Sequence, residues 1–169
     1  TRSRGKVWIS PDNSILIPGG YSPVLWVLDG TTTSSVPITS GRWLEQVQFT
    51  PDMTGVFLGF GDQQVAYWKK QKDKSWKQQG SNLNGPESAV SSSSIDRMGR
   101  KLVVGERKGL LRYWNTDQLP DLQGVHVAEL IQSHDSGIYH PKTGEQGDWI
   151  LGRGNIGDRN NLQFGAELW

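Results

Sequence analysis

The chain has 169 residues, eight tryptophans, three histidines and no cysteine, with 18 Lys and Arg against 17 Asp and Glu for a net charge of +1. That length buries about two-thirds of the extended-chain surface in a single domain without covalent staples, and the missing cysteines exclude a disulfide framework, a thiolate metal site and a thiol nucleophile. The balanced charge provides no long-range field for DNA or acidic membranes, no apolar run nears the ~20 residues that span a bilayer, and the opening Thr1-Arg2-Ser3-Arg4-Gly5 lacks the apolar stretch of a leader. One excised soluble domain over residues 1–169 is expected.

Apolar runs of four to eight residues, rich in Val, Ile, Trp and Tyr and separated by Gly, Pro, Asn, Asp and Ser, predict antiparallel β-structure. In chain order the predicted strands are 6–9, 15–17, 24–28, 43–49, 56–60, 64–69, 75–78, 101–106 and 110–114. Turn chemistry stands between them: Pro11-Asp12-Asn13, Pro18-Gly19-Gly20, Asp29-Gly30, Pro51-Asp52, Gly61-Asp62 and Arg107-Lys108-Gly109. Proline presets one turn dihedral, while Gly and Asn accept a positive φ. The polar segment 82–94 reads as a long loop or a weak edge strand. Beyond Pro120 the pattern changes. Segment 125–131 reads as strand or helix, 145–151 as a short helix, and 161–169 as a docked strand or turn.

Three segments share a pattern: Ser10-Pro11-Asp12 followed by Trp26, Thr50-Pro51-Asp52 followed by Trp68, and Ile95-Asp96 followed by Trp114. The spacings of 40 to 46 residues resemble the WD40 propeller repeat. The Gly-His and Trp-Asp dipeptides of that repeat are absent, and nothing after Trp114 continues the pattern. We read it as a habit of twisted hairpins with a Pro-Asp turn and a Trp-bearing second strand, with a propeller fragment acting as a protein-interaction module as the alternative.

No Gly-x-Ser-x-Gly, His-Glu-x-x-His, phosphate loop, dinucleotide fingerprint or EF-hand occurs, so no enzyme is expected. His126, His134 and His140 have no zinc-site spacing, and neither a metal nor a cofactor is expected. Acidic residues such as Glu45, Asp62, Glu106 and Glu129 could pair across a cleft as in a glycosidase, but seventeen acids make some pair inevitable. The run Lys69-Lys70-Gln71-Lys72-Asp73-Lys74 between Trp68 and Trp76 interleaves cations and aromatics as single-strand nucleic-acid binders do. A solvated hairpin tip is the favoured explanation in a balanced chain without a nucleic-acid motif, and no nucleic-acid partner is expected. The sequence holds no Asn-x-Ser/Thr glycosylation site.

Several strings, taken in their common order, resemble the spike-head domain of rotavirus outer-capsid proteins, in a divergent form. They are Ser22-Pro23-Val24-Leu25-Trp26-Val27-Leu28, Gly41-Arg42-Trp43-Leu44, Gly59-Phe60-Gly61-Asp62-Gln63-Gln64 with Ser75-Trp76-Lys77, Lys101-Leu102-Val103 with Gly109 and Tyr113, and Tyr139-His140-Pro141-Lys142 up to Glu145. The resemblance implies an all-β, galectin-like sandwich of antiparallel sheets with a short C-terminal helix, or alternatively one strongly twisted antiparallel sheet wrapped around a helix. It implies a non-enzymatic attachment domain on the virion outer-capsid surface. Its partners would be the remainder of the spike protein and cell-surface oligosaccharides of sialylated, blood-group or lactosamine type, with no membrane insertion by this domain. The glycan-binding residues it implies are Trp26, Arg42, Trp43, Leu111, Lys142 and Glu145. Arg42 would grip a sugar carboxylate through two parallel hydrogen bonds, and affinity per site would be weak, with attachment relying on multivalent display.

Overall fold

The computed structural model describes residues 5–38, 41–83, 85–116, 125–128, 138–143, 150–156 and 163–168, with side chains described up to Thr116. The described residues are all-β and every pairing is antiparallel. The strands are β1 (Val7–Ile9), β2 (Ile15–Pro18), β3 (Gly20–Tyr21), β4 (Val24–Asp29), β5 (Thr32–Pro37), β6 (Trp43–Phe49), β7 (Gly55–Phe60), β8 (Val65–Lys70), β9 (Trp76–Gln78), β10 (Val90–Ile95), β11 (Lys101–Glu106), β12 (Leu111–Asn115), β13 (Val125–Ala128), β14 (Ile138–Thr143), β15 (Ile150–Ile156) and β16 (Gln163–Leu168). They form four sheets in chain order: β1-β2-β4-β5, then β3-β6-β7-β8-β9, then β10-β11-β12-β13, and lastly β14-β15-β16.

The antiparallel all-β class expected from the sequence is therefore present, and its strands are grouped into four successive meanders. Neighbouring strands of a meander pair mostly across short connections, which keeps the loop-closure entropy of each pairing small. The two-residue β3 leaves the first meander and pairs with Trp43 and Leu44 at the edge of the second, linking the two sheets. No helix beyond a single 3₁₀ residue occurs among the described residues. The helix expected at 145–151 falls largely outside them, and Ile150 and Leu151 open β15. Segment 125–131, left open between strand and helix, contains the strand Val125–Ala128.

The sheets stack face on face through two apolar layers. Ile15, Ile17 and Leu25 of the first sheet meet Val56, Leu58, Phe60, Ala66 and Trp68 of the second. On the opposite face of the second sheet, Phe57, Val65 and Tyr67 meet Val90, Leu102, Val104 and Trp114 of the third. The alternation of β7 explains how one strand serves both layers: its even-numbered residues face one neighbour and its odd-numbered residues the other. Such a strand is buried along its whole length, and β7 is. The close approach of the second and third sheets requires Gly59, where an added Cβ would stand 2.6 Å from Cγ1 of Val90.

Candidate interaction surface

The three-fold sequence pattern has a structural counterpart in three consecutive sheets. In the first, Ser10 donates its backbone N–H to the Ile15 carbonyl at 2.9 Å and its carbonyl accepts the Asn13 N–H at 2.8 Å. Its hydroxyl donates to Asp12 at 2.5 Å and accepts the Ile15 N–H at 2.9 Å, while Asp12 also accepts the N–H and hydroxyl of Ser14. In the second sheet Thr50, Asp52, Met53, Thr54 and Gly55 repeat each of these bonds. In the third, Asp96 stands where Ser10 and Thr50 stand, and its own carboxylate accepts the N–H groups of Arg100 and Lys101. The fourth turn residue adopts a positive φ throughout, 58° at Asn13, 57° at Met53 and 72° at Gly99. Methionine at such a φ is uncommon, and the surrounding hydrogen bonds hold it there.

These bonds set the charge states. Hydrogen bonds from the Ser10 hydroxyl, then from the Ser14 hydroxyl and N–H, hold the Asp12 carboxyl below the ordinary value. Burial pushes Asp52 upward, but the Thr50 hydroxyl and the Thr54 hydroxyl and N–H outweigh it and hold this carboxyl low as well. Burial, followed by the nearby Asp52 charge, raises the Tyr67 phenol.

The pairing register makes the three indoles equivalent. Trp26 stands opposite Leu16, Trp68 opposite Val56 and Trp114 opposite Leu102. Each row continues to the residue just before the turn: Ile9, Phe49 and Ile95. In the second and third sheets this row faces the preceding sheet, and Trp68 is 7% exposed and Trp114 0%. In the first sheet the same row is open, with Ile9 54% and Trp26 39% exposed, and Val7 of the next row is exposed with it.

Polar ties lock the second and third sheets at one end. Arg107 reaches Glu45 at 2.8 Å, and the Gln46 amide donates to the Ser91 carbonyl at 2.6 Å. Inside the third sheet, Arg112 donates to Glu106, both fully buried. The second Glu106 oxygen accepts the N–H groups of Glu87 and Ser88 at 2.8 Å each. The pair is thus saturated with hydrogen bonds and pins the segment at 87–88 onto the sheet.

Two grooves open between sheets. One of about 350 Å³ is lined by Ile38, Arg42, Phe60, Trp68, Gln78 and Asn82. Another of about 540 Å³ lies between the turns of the second and third sheets, with Asp52, Phe57, Tyr67, Lys69, Arg97 and Met98 among its lining residues. Phe57 and Tyr67 stack in the latter with ring centroids 4.6 Å apart.

The residues implied as glycan ligands are distributed along the stack. Trp26 lies in β4 of the first sheet; Arg42 precedes β6 and Trp43 opens it in the second; Leu111, buried, lies in β12 of the third; Lys142 falls in β14 of the fourth. Glu145 lies outside the described residues. Arg42 is paired with Asp62 at 3.1 Å, and its guanidinium lies 5.8 Å from the Phe60 ring centroid. Sequence reasoning missed Val7 and Ile9 as members of an open face. The signal available was the apolar residue immediately before each turn serine, threonine or aspartate.

No family model matches the chain, and no curated protein matches it. The fold is similar to solved structures, among them a chain of the crystal structure of a mitotic checkpoint complex, with a TM-score of 0.68 at 15% identity. The match covers 98% of this chain and 47% of that one, so this chain spans about half the length of its structural neighbour. At that identity the likeness concerns the fold, a stack of small antiparallel meanders.

Proposed function

We propose that this chain is part of a β-propeller-type stack that serves as a protein-interaction scaffold. The observation that carries this reading is the repeated row. The same turn, register and indole position recur in three consecutive sheets, as expected of a radial repeat in which each blade packs on the one before it. The open row Ile9, Leu16 and Trp26 fits a blade awaiting its neighbour, since its equivalents are covered in both following sheets. The absence of a catalytic motif in the sequence and the two open grooves between sheets suit binding over chemistry.

Sedimentation velocity over a concentration series tests it. The 169-residue chain is expected to self-associate as concentration rises, and the Ile9→Ser/Trp26→Ser variant to do so far less. A compact monomer at every concentration, unchanged by that substitution, would overturn the reading.

The glycan-attachment reading keeps one supporting observation, the exposed indole of Trp26, because an indole face can stack on a sugar ring. A glycan array probed with the chain tests it. Binding to sialylated, blood-group or lactosamine-type glycans that is lost in Trp26→Ser would favour attachment over scaffolding, and no binding across the array would remove it.

A further inference from the structure

We propose that the β8–β9 hairpin and the adjoining groove between the second and third sheets form a docking site for an extended acidic polypeptide segment that also carries an apolar side chain. The site rests on the scaffold reading above, and it names the chemistry of a partner.

The hairpin concentrates positive charge with little internal use for it: after the Ser75 hydrogen bonds, Lys77 helps hold the exposed Asp73 carboxyl low. Lys69, Lys70, Lys72, Lys74 and Lys77 are all exposed, and none makes an ion pair among the described residues. Lys69 and Lys77 stand directly opposite each other across the two strands, an arrangement that like charges make unfavourable unless an anion bridges them. The one acid of the hairpin, Asp73, is occupied locally: its carboxylate accepts the Ser75 N–H at 3.0 Å and the Ser75 hydroxyl at 2.6 Å.

The groove supplies the second half of the recognition. Lys69 reaches its lining and exposed Met98 stands on the third-sheet side, while Phe57 and Tyr67 stack beneath them as a buried floor and Asp52 is the one acid among the lining residues. The exposed, flexible thioether of Met98 offers the apolar contact for an aliphatic or aromatic side chain, while the lysines, which outnumber Asp52, meet flanking carboxylates. The competing partner for a Lys-rich hairpin flanked by tryptophans is single-stranded nucleic acid, which needs indole faces on which bases can stack. Here Trp68 is 7% and Trp76 3% exposed, both packed into the layer against the first sheet. The charge remains available and the stacking platform does not, which favours a polypeptide.

Fluorescence anisotropy with the 169-residue chain tests the proposal. The probes are a labelled twelve-residue peptide of glutamates with a central phenylalanine, its glutamine counterpart, and a labelled twelve-residue oligothymidine. The acidic peptide is expected to bind, more weakly as salt rises, and to lose about tenfold in affinity in Lys69→Ser/Lys77→Ser. Met98→Ser is expected to weaken the acidic peptide without changing the salt dependence. Thermal unfolding of each variant confirms that it is folded, and removing the opposed lysine pair should leave the midpoint unchanged or raise it. No binding of the acidic peptide, equal binding of the glutamine peptide, indifference to the lysine substitutions, or tighter binding of oligothymidine would each overturn it. The sedimentation experiment reads the first-sheet face and the titration reads the hairpin, so failure of one is distinguishable from failure of the other.

Discussion

Trp26 and Trp68 occupy one position in successive sheets, each opposite the second residue after its turn, yet the first indole is 39% exposed and the second 7%. The difference lies in what stands in front of each sheet, because the local hairpin is the same. Truncating the two should therefore have unequal effects. Trp68→Ala is expected to cost about 3–5 kcal/mol and Trp114→Ala as much, by loss of burial and the cavity left behind. Trp26→Ala should cost about 1 kcal/mol or less. Urea unfolding of the three variants at one low protein concentration measures this, and equal losses would contradict the equivalence of the row.

The turns at Thr50 and Ser10 carry a pH signature. Asp12 and Asp52 are held below 3.8 in the folded state, so the folded chain binds fewer protons than the unfolded one across that range. The stability they contribute is fully present above about pH 4 and is lost as pH falls through their folded-state values. The Asp12→Asn/Asp52→Asn variant should be less stable at pH 7 and should lose less further stability between pH 5 and pH 2 than the wild type. Parallel profiles for the two proteins would refute this. Thr50→Ala, which removes both a donor to Asp52 and an acceptor for the Gly55 N–H, should cost about 1–2 kcal/mol at neutral pH.

Much of the hairpin framework was legible in the sequence. Strands 43–49 and 101–106 match the expected bounds because their apolar residues are numerous and end at strong turn signals. Thr32–Pro37 and the short Gly20–Tyr21 were missed, and Val90–Ile95 was legible only as one of two alternatives, a weak edge strand within 82–94; the Ser and Thr runs of Thr32–Pro37 and Val90–Ile95 mimic loop composition. Both of these are edge strands of their sheets, paired on one side, so their sequences are not required to be apolar. The three-fold pattern of turn and tryptophan was visible as spacing, but not its meaning. Whether an indole is covered depends on a neighbouring sheet, and a strand carries no local record of its neighbour. The Glu106–Arg112 pair was equally hidden, since any glutamate at a strand end and any arginine six residues later would look the same.

That pair provides a third prediction. Glu106 accepts hydrogen bonds from Arg112, Ser88 and the backbone at 87 and 88, and neither charge reaches water. Glu106→Gln removes the buried counter-charge and leaves the guanidinium with only the exposed carboxylate of Glu87, 2.9 Å away, and a loss of about 2–4 kcal/mol is expected. The double variant Glu106→Leu/Arg112→Met should recover much of that loss while freeing the 87–88 segment. Faster amide exchange at Glu87 and Ser88 in the double variant, with global stability largely restored, is the expected result. A double variant no more stable than Glu106→Gln would show that the pair contributes more than charge compensation.

The contact between the second and third sheets yields the most direct test of stacking. At Gly59 an added methyl group would meet Val90 Cγ1 at 2.6 Å and Cβ at 3.1 Å, and Val90 is fully buried, so the clash cannot be relieved by swinging a side chain into solvent. Gly59→Ala should cost about 1–3 kcal/mol. Val90→Ala alone should also destabilise, by removing two buried methyl groups. If the sheets pack at this point, the substitutions compensate: Gly59→Ala/Val90→Ala should be more stable than the sum of its parts by about 1 kcal/mol or more, because the new methyl enters the space that the valine vacates. A double-mutant cycle by urea unfolding measures the coupling. Strict additivity would mean that Gly59 and Val90 do not touch and that the two sheets meet elsewhere.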